Sequence, residues 1–200
     1  MIFNNGQYTI ARRRVRNARI SVNHELQVKI VIPLWYKETD LQQLIAEKQK
    51  WIEKQLIHFT LAKKDIPQLG MGEILYLGEG INPGFDVTDT LQLHHWYQTV
   101  AQEIFGVRIK ALAAEYGFRF SKLTLRNQKT RWGSCSKKKN ISLNWKLIKA
   151  PLAVIDYVIL HELTHTQVFD HSKSFWLKLE QVCPDYKQAV QWLKKYGRYL

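Results

Sequence analysis

"VILHELTHTQVFDHSKSFW", residues Val158–Trp176, holds three of the chain's seven histidines within eleven residues. His161, Glu162 and His165 spell H-E-x-x-H. Side chains four apart on a helix are neighbours, about 5–6 Å between Cβ atoms. Two imidazoles on that face can grip one divalent ion, with Glu162 beside them as a base. Apolar Val154, Ile155, Val158, Ile159 and Leu160 lead into the motif, so the helix is expected to be buried. Buried imidazoles and a buried carboxylate need partners, and a metal ion is one. A core helix with satisfied histidines and an ion-paired Glu162 is the plain alternative, and five residues alone do not exclude it.

A third ligand separates the two readings. Catalytic zinc sites use three protein ligands and keep a position open. His171 lies ten residues after His161. On a continuous helix it would rise about 15 Å above His161. The helix must therefore stop soon after His165 and the chain must fold back. The spacing H-E-x-x-H-x5-H equals that of the metzincins, whose pattern places glycine three residues after the second histidine. Here that position is Val168, so the turn has to be made another way. Glu180 on the following helix is the rival ligand, and its plain reading is a surface carboxylate among Lys178 and Lys187. Imidazole is a standard zinc donor, which favours His171.

Working outward, Tyr8–Pro33 reads as strands. Ile20, Val22, Val28, Ile30 and Ile32 alternate with polar residues, and Asn23 and His24 suit a turn between them. Asp40 is placed to cap a helix carrying Leu41, Leu44, Ile45, Lys48, Ile52 and Leu56, with Glu47, Lys50 and Lys54 on its wet side. Glycines at 70, 72, 78, 80 and 84 surround a short strand at 73–77 without phosphate-loop spacing. A long helix runs from Asp89 or Thr90 to about Tyr116, with Gly117 as its stop. Strands are expected at 122–126 and 141–145, with a basic loop or hairpin between them. Pro151 opens the motif helix at its first position. Asp170 or Ser172 caps the next helix, and 186–196 is the last. Strands and helices segregate, so the class is α+β, with residues 1–88 a strand-rich region and 89–200 the catalytic domain.

The formal net charge is +13. Residues 91–150 carry twelve basic side chains against two acidic ones. Such a block attracts an anionic partner, nucleotide or nucleic acid, or is a solvated face that aids solubility. No apolar run reaches the length of a membrane span. The start, MIFNNGQYTI, does not read as a secretory signal. Cys135 and Cys183 do not make a disulfide framework, and the expected location is cytoplasmic. Cys135 is expected to be a small buried residue rather than a nucleophile.

The chain resembles the YgjP-like family of metal-dependent hydrolases, which sits near the SprT-like and WLM zinc metallopeptidases. The resemblance is carried by "TRWGSCS" (Thr130–Ser136), "ISLNWKLIKAP" (Ile141–Pro151), "VIDYVILHELTHT" (Val154–Thr166) and "DHSKSFW" (Asp170–Trp176). "ARRRVRNARISV" and "ILYLGEG" extend it toward the N-terminus. It implies a zincin-like domain preceded by a small strand-rich region, with Zn²⁺ on His161, His165 and His171, and Glu162 as general base. Metallopeptidase activity on polypeptide is the family's usual label. The oxyanion needs a second stabiliser, for which Arg131, Tyr157 and Tyr196 are candidates. By comparison with zincins, strand 141–145 is a candidate edge for the substrate. The alternatives are a metal-dependent nucleotide or phosphoanhydride hydrolase, and a nucleic-acid-associated zinc module.

Overall fold

The computed structural model describes residues 2–4, 8–23, 25–65 and 67–200. The chain forms two compact units, one within Met1–Ile66 together with Tyr199, the other Pro67–Arg198 with Leu200. In the first unit, β1 (Ile2–Asn4), β2 (Tyr8–Arg13), β3 (Arg19–Val22) and β4 (Val28–Pro33) form one sheet in the order β1-β2-β4-β3. The alternation of Ile20 and Val22 with Val28 and Ile30 becomes an antiparallel ladder, Ile20 opposite Ile30 and Val22 opposite Val28. The turn uses the Asn23 side chain, whose Oδ1 accepts from the N–H groups of Glu25 and Gln27. His24 lies outside the described residues. β2 pairs in parallel with β4, an arrangement that alternation does not encode.

Helix α1 (Glu38–Asp65) begins earlier than the Asp40 cap predicted. Asp40 is therefore within the first turn, where a carboxylate still meets the positive end of the helix dipole. Leu41, Ile52 and Phe59 are buried, and they pack with Ile10, Ile30 and Ile32. Glu47, Lys50 and Lys54 are exposed as expected, and so is Lys48.

The second unit begins with a hairpin of β5 (Ile74–Tyr76) and β6 (Glu79–Ile81). Leu77 and Gly78 donate their N–H groups to Ile148 and Lys149 carbonyls, at 2.9 and 3.1 Å. The Tyr97 hydroxyl donates to Leu75 O at 2.8 Å. These bonds tie residues 74–81 into the second unit, so the compact units divide at 66/67, ahead of the 88/89 division read from the sequence. Helix α2 (Thr90–Glu115) follows its signals closely. The Asp89 carboxylate accepts from Leu91 and Gln92 N–H. Gly117 takes φ +69° and lets Phe118 N–H reach back to Ala113 O, a left-handed stop that suits glycine.

Strands β7 (Lys122–Arg126), β8 (Gly133–Cys135) and β9 (Asn140–Asn144) form a sheet in the order β7-β9-β8, parallel between β7 and β9 and antiparallel between β8 and β9. The expected edge strand at 141–145 is thus the central one, and it ends at Asn144. Trp145–Lys149 is a short 3-10 helix. Both sides of the β9 backbone are paired, and Ile141 and Leu143 are fully buried. The basic stretch between β7 and β9 supplies one edge of this sheet, β8, and β7 is the other.

Helix α3 (Leu152–Thr164) has Pro151 at its N-cap, one residue before the predicted first position. Helices α4 (Lys173–Val182) and α5 (Tyr186–Tyr196) complete the unit, with Ser172 at the α4 N-cap. Phe105 and Ile109 of α2, Ile155 and Ile159 of α3, Leu143 and Phe175 share one core. Arg108 locks α2 to α3 through a two-pronged bond to Asp156, at 2.8 and 2.6 Å. Among the described residues no helix is long and apolar enough to cross a membrane.

Phe105 is fully buried between the sheet and α3. Phe105→Ala is expected to lower the stability of the second unit by roughly 3–5 kcal/mol. Urea unfolding followed by tryptophan fluorescence measures it, and a loss below about 1 kcal/mol would contradict this packing.

Candidate metal centre

The last turn of α3 carries the motif, and the helix stops where the third histidine demands. His165 is the C-cap residue. Two threonines finish the turn: Thr164 Oγ1 donates to Leu160 O and Thr166 Oγ1 to Leu163 O, each at 2.7 Å. The backbone N–H of Val168 reaches Thr164 O at 3.0 Å. Both hydroxyls bond back to the preceding turn, and Val168 is not in the left-handed backbone region. Asp170 Oδ1 then accepts from Ser172 N–H at 3.2 Å, closing the bend that carries His171.

This fold-back brings the donor atoms of His161, His165 and His171 within 4.8 Å of one another. The Nε2 atoms of His161 and His171 are 3.1 Å apart. Donors at about 2.0–2.1 Å from a tetrahedral zinc would stand about 3.3 Å apart, so the cluster has the size of a metal cage. His165 Nδ1 faces Val168 O at 3.0 Å. That carbonyl can only accept, so Nδ1 carries the proton and Nε2 is the nitrogen open to a metal. Trp176 donates its indole N–H to His171 O at 3.1 Å. Burial and the two neighbouring imidazoles push His161 down to about 3, so it is neutral and a competent donor. His165 is also pushed down, chiefly by burial.

Beneath the cluster lies Phe175. It is fully buried, with ring centroids 4.5 Å from His165, 4.8 Å from His171 and 4.9 Å from His161. It is a platform for all three imidazoles. Its signal in the sequence is an aromatic four residues after His171.

Glu162 is 4% exposed. Its Oε2 and His161 Nδ1 are buried with no hydrogen-bond partner among the described protein atoms. Burial raises the Glu162 carboxyl to about 8, against the opposing pull of Arg131. Gly133 of β8 lies directly over it. A Cβ there would stand 2.5 Å from Glu162 Oε1, so the strand crosses the carboxylate only because residue 133 has no side chain. Asn144 holds that crossing in place: its N–H donates to Trp132 O at 2.8 Å and its Nδ2 to Gln128 O at 2.8 Å. Gly133, Asn144 and Phe175 are the supporting residues that residue-type reasoning passed over.

A cavity of about 210 Å³ opens on Glu162, lined by Arg131, Trp132, Gly133, Tyr157, Val158, His161 and Leu193. Arg131 and Tyr157 are brought to it. Tyr157 stands edge-on to His161, centroids 5.8 Å apart, and burial pushes its hydroxyl up to about 12. Tyr196 is not among the lining residues; its ring packs on Trp192 at 5.2 Å. Glu180 is half-exposed and pairs with Lys187 at 3.6 Å, away from the imidazoles, as its plain reading held. Burial, followed by the Glu162 charge, raises the Cys135 thiol to about 11, which suits a packed residue and not a nucleophile.

The model of the YgjP-like metallopeptidase domain matches residues 16–91 and 86–196, and the chain belongs to the YgjP-like family. Among solved structures, the metallopeptidase zymogen of Pyrococcus abyssi abylysin is 23% identical, covering 47% of this chain and 96% of its own, with a TM-score of 0.43. The metallopeptidase zymogen of Methanocaldococcus jannaschii jannalysin is 20% identical, covering 44% and 93%, with a TM-score of 0.37. No curated protein matches the chain at a significant level.

Two outcomes are expected here. Gly133→Ala should preserve metal content but cut hydrolysis at least tenfold, because the new methyl displaces the Glu162 carboxylate; full activity would mean that the crossing is loose. Glu162 is raised from 4.5 to about 8. A raised acid contributes stability below its unfolded pKa and loses it as pH climbs through the folded one. Metal-free wild type should therefore lose stability between pH 5 and 8 relative to Glu162→Gln, measured as the difference in Tm across that range. Parallel Tm curves would count against the buried carboxyl.

Proposed function

From that family membership and the three-imidazole cluster, we propose that the chain is a zinc-dependent metallopeptidase whose catalytic module lies in residues 89–200. His161, His165 and His171 hold the metal, Glu162 is the general base, and the substrate is polypeptide. The observation that carries this reading is Glu162, an unpartnered buried carboxylate beside three converging imidazoles. A closed structural site would take a fourth protein ligand, usually a cysteine, and neither Cys135 nor Cys183 joins the cluster.

Bound zinc supplies Lewis acidity toward the scissile carbonyl and lowers the pKa of water toward 7. Glu162 takes the proton of the attacking water and hands it to the leaving amine. Its apolar surroundings favour the protonated form, which strengthens Glu162 as the base of the first transfer. Tyr157 and Arg131, on the cavity wall, are the donors for the developing oxyanion; Tyr196 has no part in this reading.

The substrate strand is assigned to β8, the sheet edge that passes over Glu162, and not to the central β9. Trp132 O and Ser136 N–H bond to Asn144 and Asn140. Hydrogen-bonding residues alternate along an antiparallel pair, so the backbone groups of Gly133 and Cys135 point outward. An extended peptide can pair with them directly beside Glu162. Arg131 at the cavity keeps phosphoanhydride hydrolysis as the second reading. The two free thiols fit a cytoplasmic setting.

Glu162→Gln should retain metal and fold but lose peptide cleavage by about 10²–10⁴-fold. His171→Ala should lose zinc, while Glu180→Ala keeps it. The test is a panel of unstructured proteins, nucleotides and single-stranded DNA, run with wild type and Glu162→Gln and with metal content measured in each. Phosphate release in place of peptide cleavage would select the second reading. A His171→Ala protein that keeps full zinc would overturn the ligand set.

A further inference from the structure

The edge of β8 runs into a cluster of cations that the reaction leaves unused. The turn after β8 is Ser136-Lys137-Lys138-Lys139, closed by Lys139 N–H on Ser136 O at 2.7 Å. Ser121 ties a second segment to it: its N–H donates to Lys139 O at 2.9 Å and its Oγ to Lys138 O at 2.7 Å. Arg119 and Lys122 flank that serine. All five cationic residues are exposed, and none makes an ion pair among the described residues. Residues 116–150 contain ten Lys and Arg and no Asp or Glu, so nothing local neutralises them. Lys139 takes φ +59°, a conformation that glycine or asparagine adopts more readily. A lysine stands there against backbone preference.

Resting on the peptidase reading above, we propose that this cluster selects substrates with acidic residues on the N-terminal side of the scissile bond. The geometry follows from the sheet. A peptide paired antiparallel to β8 has its residue numbers falling as those of β8 rise. If the scissile bond lies opposite Gly133, beside Glu162, Ser136 stands about three residues upstream, and the turn 137–139, which folds back there, faces positions roughly three to four residues upstream. Lysine side chains reach carboxylates there without fixing their rotamers, which suits a tolerant charge preference. An acidic polypeptide is the occupant favoured over a nucleic acid because the cluster is continuous with an edge built for backbone pairing.

The test uses three fluorogenic peptides of equal length, with the zinc-loaded enzyme. One carries three Glu upstream of the scissile bond, one carries Gln at those positions, and one carries the Glu residues downstream. Upstream Glu should raise kcat/KM about five- to tenfold over Gln, and the ratio should fall toward one in 0.5 M salt. In Lys137→Glu/Lys138→Glu the ratio should drop below one, and in Lys137→Gln/Lys138→Gln it should fall to about one; thermal melts check that both variants fold. Direct binding of the labelled upstream-Glu peptide to Glu162→Gln, read by anisotropy, should weaken with the same charge changes. Equal kcat/KM for all three peptides, or preference for downstream Glu, overturns the proposal. So does a single-stranded oligonucleotide that binds at the cluster when the Glu peptide does not. If no peptide is cleaved and Glu162→Gln matches wild type, the peptidase reading itself fails and takes this proposal with it; cleavage without charge preference removes only the latter.

Discussion

The site depends on one constraint: α3 must end at His165. One further helical turn would carry His171 away from the other two imidazoles, since each helical residue advances about 1.5 Å. The end is enforced by groups that cannot easily serve elsewhere. Thr164 and Thr166 satisfy Leu160 and Leu163 carbonyls with their hydroxyls, and the carbonyl of Val168 is engaged by His165 itself. The histidine that sits at the stop thus helps make the stop. Its ring orientation, its tautomer and the reversal of the chain are set by the same hydrogen bond.

A second layer fixes Glu162 from above. The sheet crosses α3 at Gly133, and Asn144 pins the crossing from β9. Strand order matters here. With β9 in the centre, its buried residues anchor the sheet to the core while β8 stays on the rim, short and open on one side. Edge strands are a hazard in most folds. Three residues of edge limit that hazard and still leave two sets of outward backbone groups.

Much of this was legible in the sequence, and the parts that were not share a cause. The helix boundaries of α2 followed from Asp89 and Gly117 because capping chemistry is local. The three histidines were found because ligand spacing on a helix is local, and the requirement for a fold-back followed from helical rise. The bonds around the fold-back, from His165 Nδ1 to Val168 O and from Ser172 N–H to Asp170, follow no distinctive sequence pattern. The central position of β9 and the parallel pairing of β7 were also hidden, since strand order is set by long-range packing. Gly133 could be read as a turn residue or a strand residue; only its place over Glu162 gives it meaning. Asp40 and Pro151 missed by a residue or two, the usual fraying of helix ends.

Cys135 lies two residues beyond Gly133 on the same face of β8, and its thiol stays protonated well above neutral pH. Oxidants and alkylating agents attack thiolates. A thiol this reluctant to ionise offers them little, although it sits within electrostatic reach of Glu162. The centre therefore lacks the built-in oxidative brake that an acidic cysteine at this position would have given it.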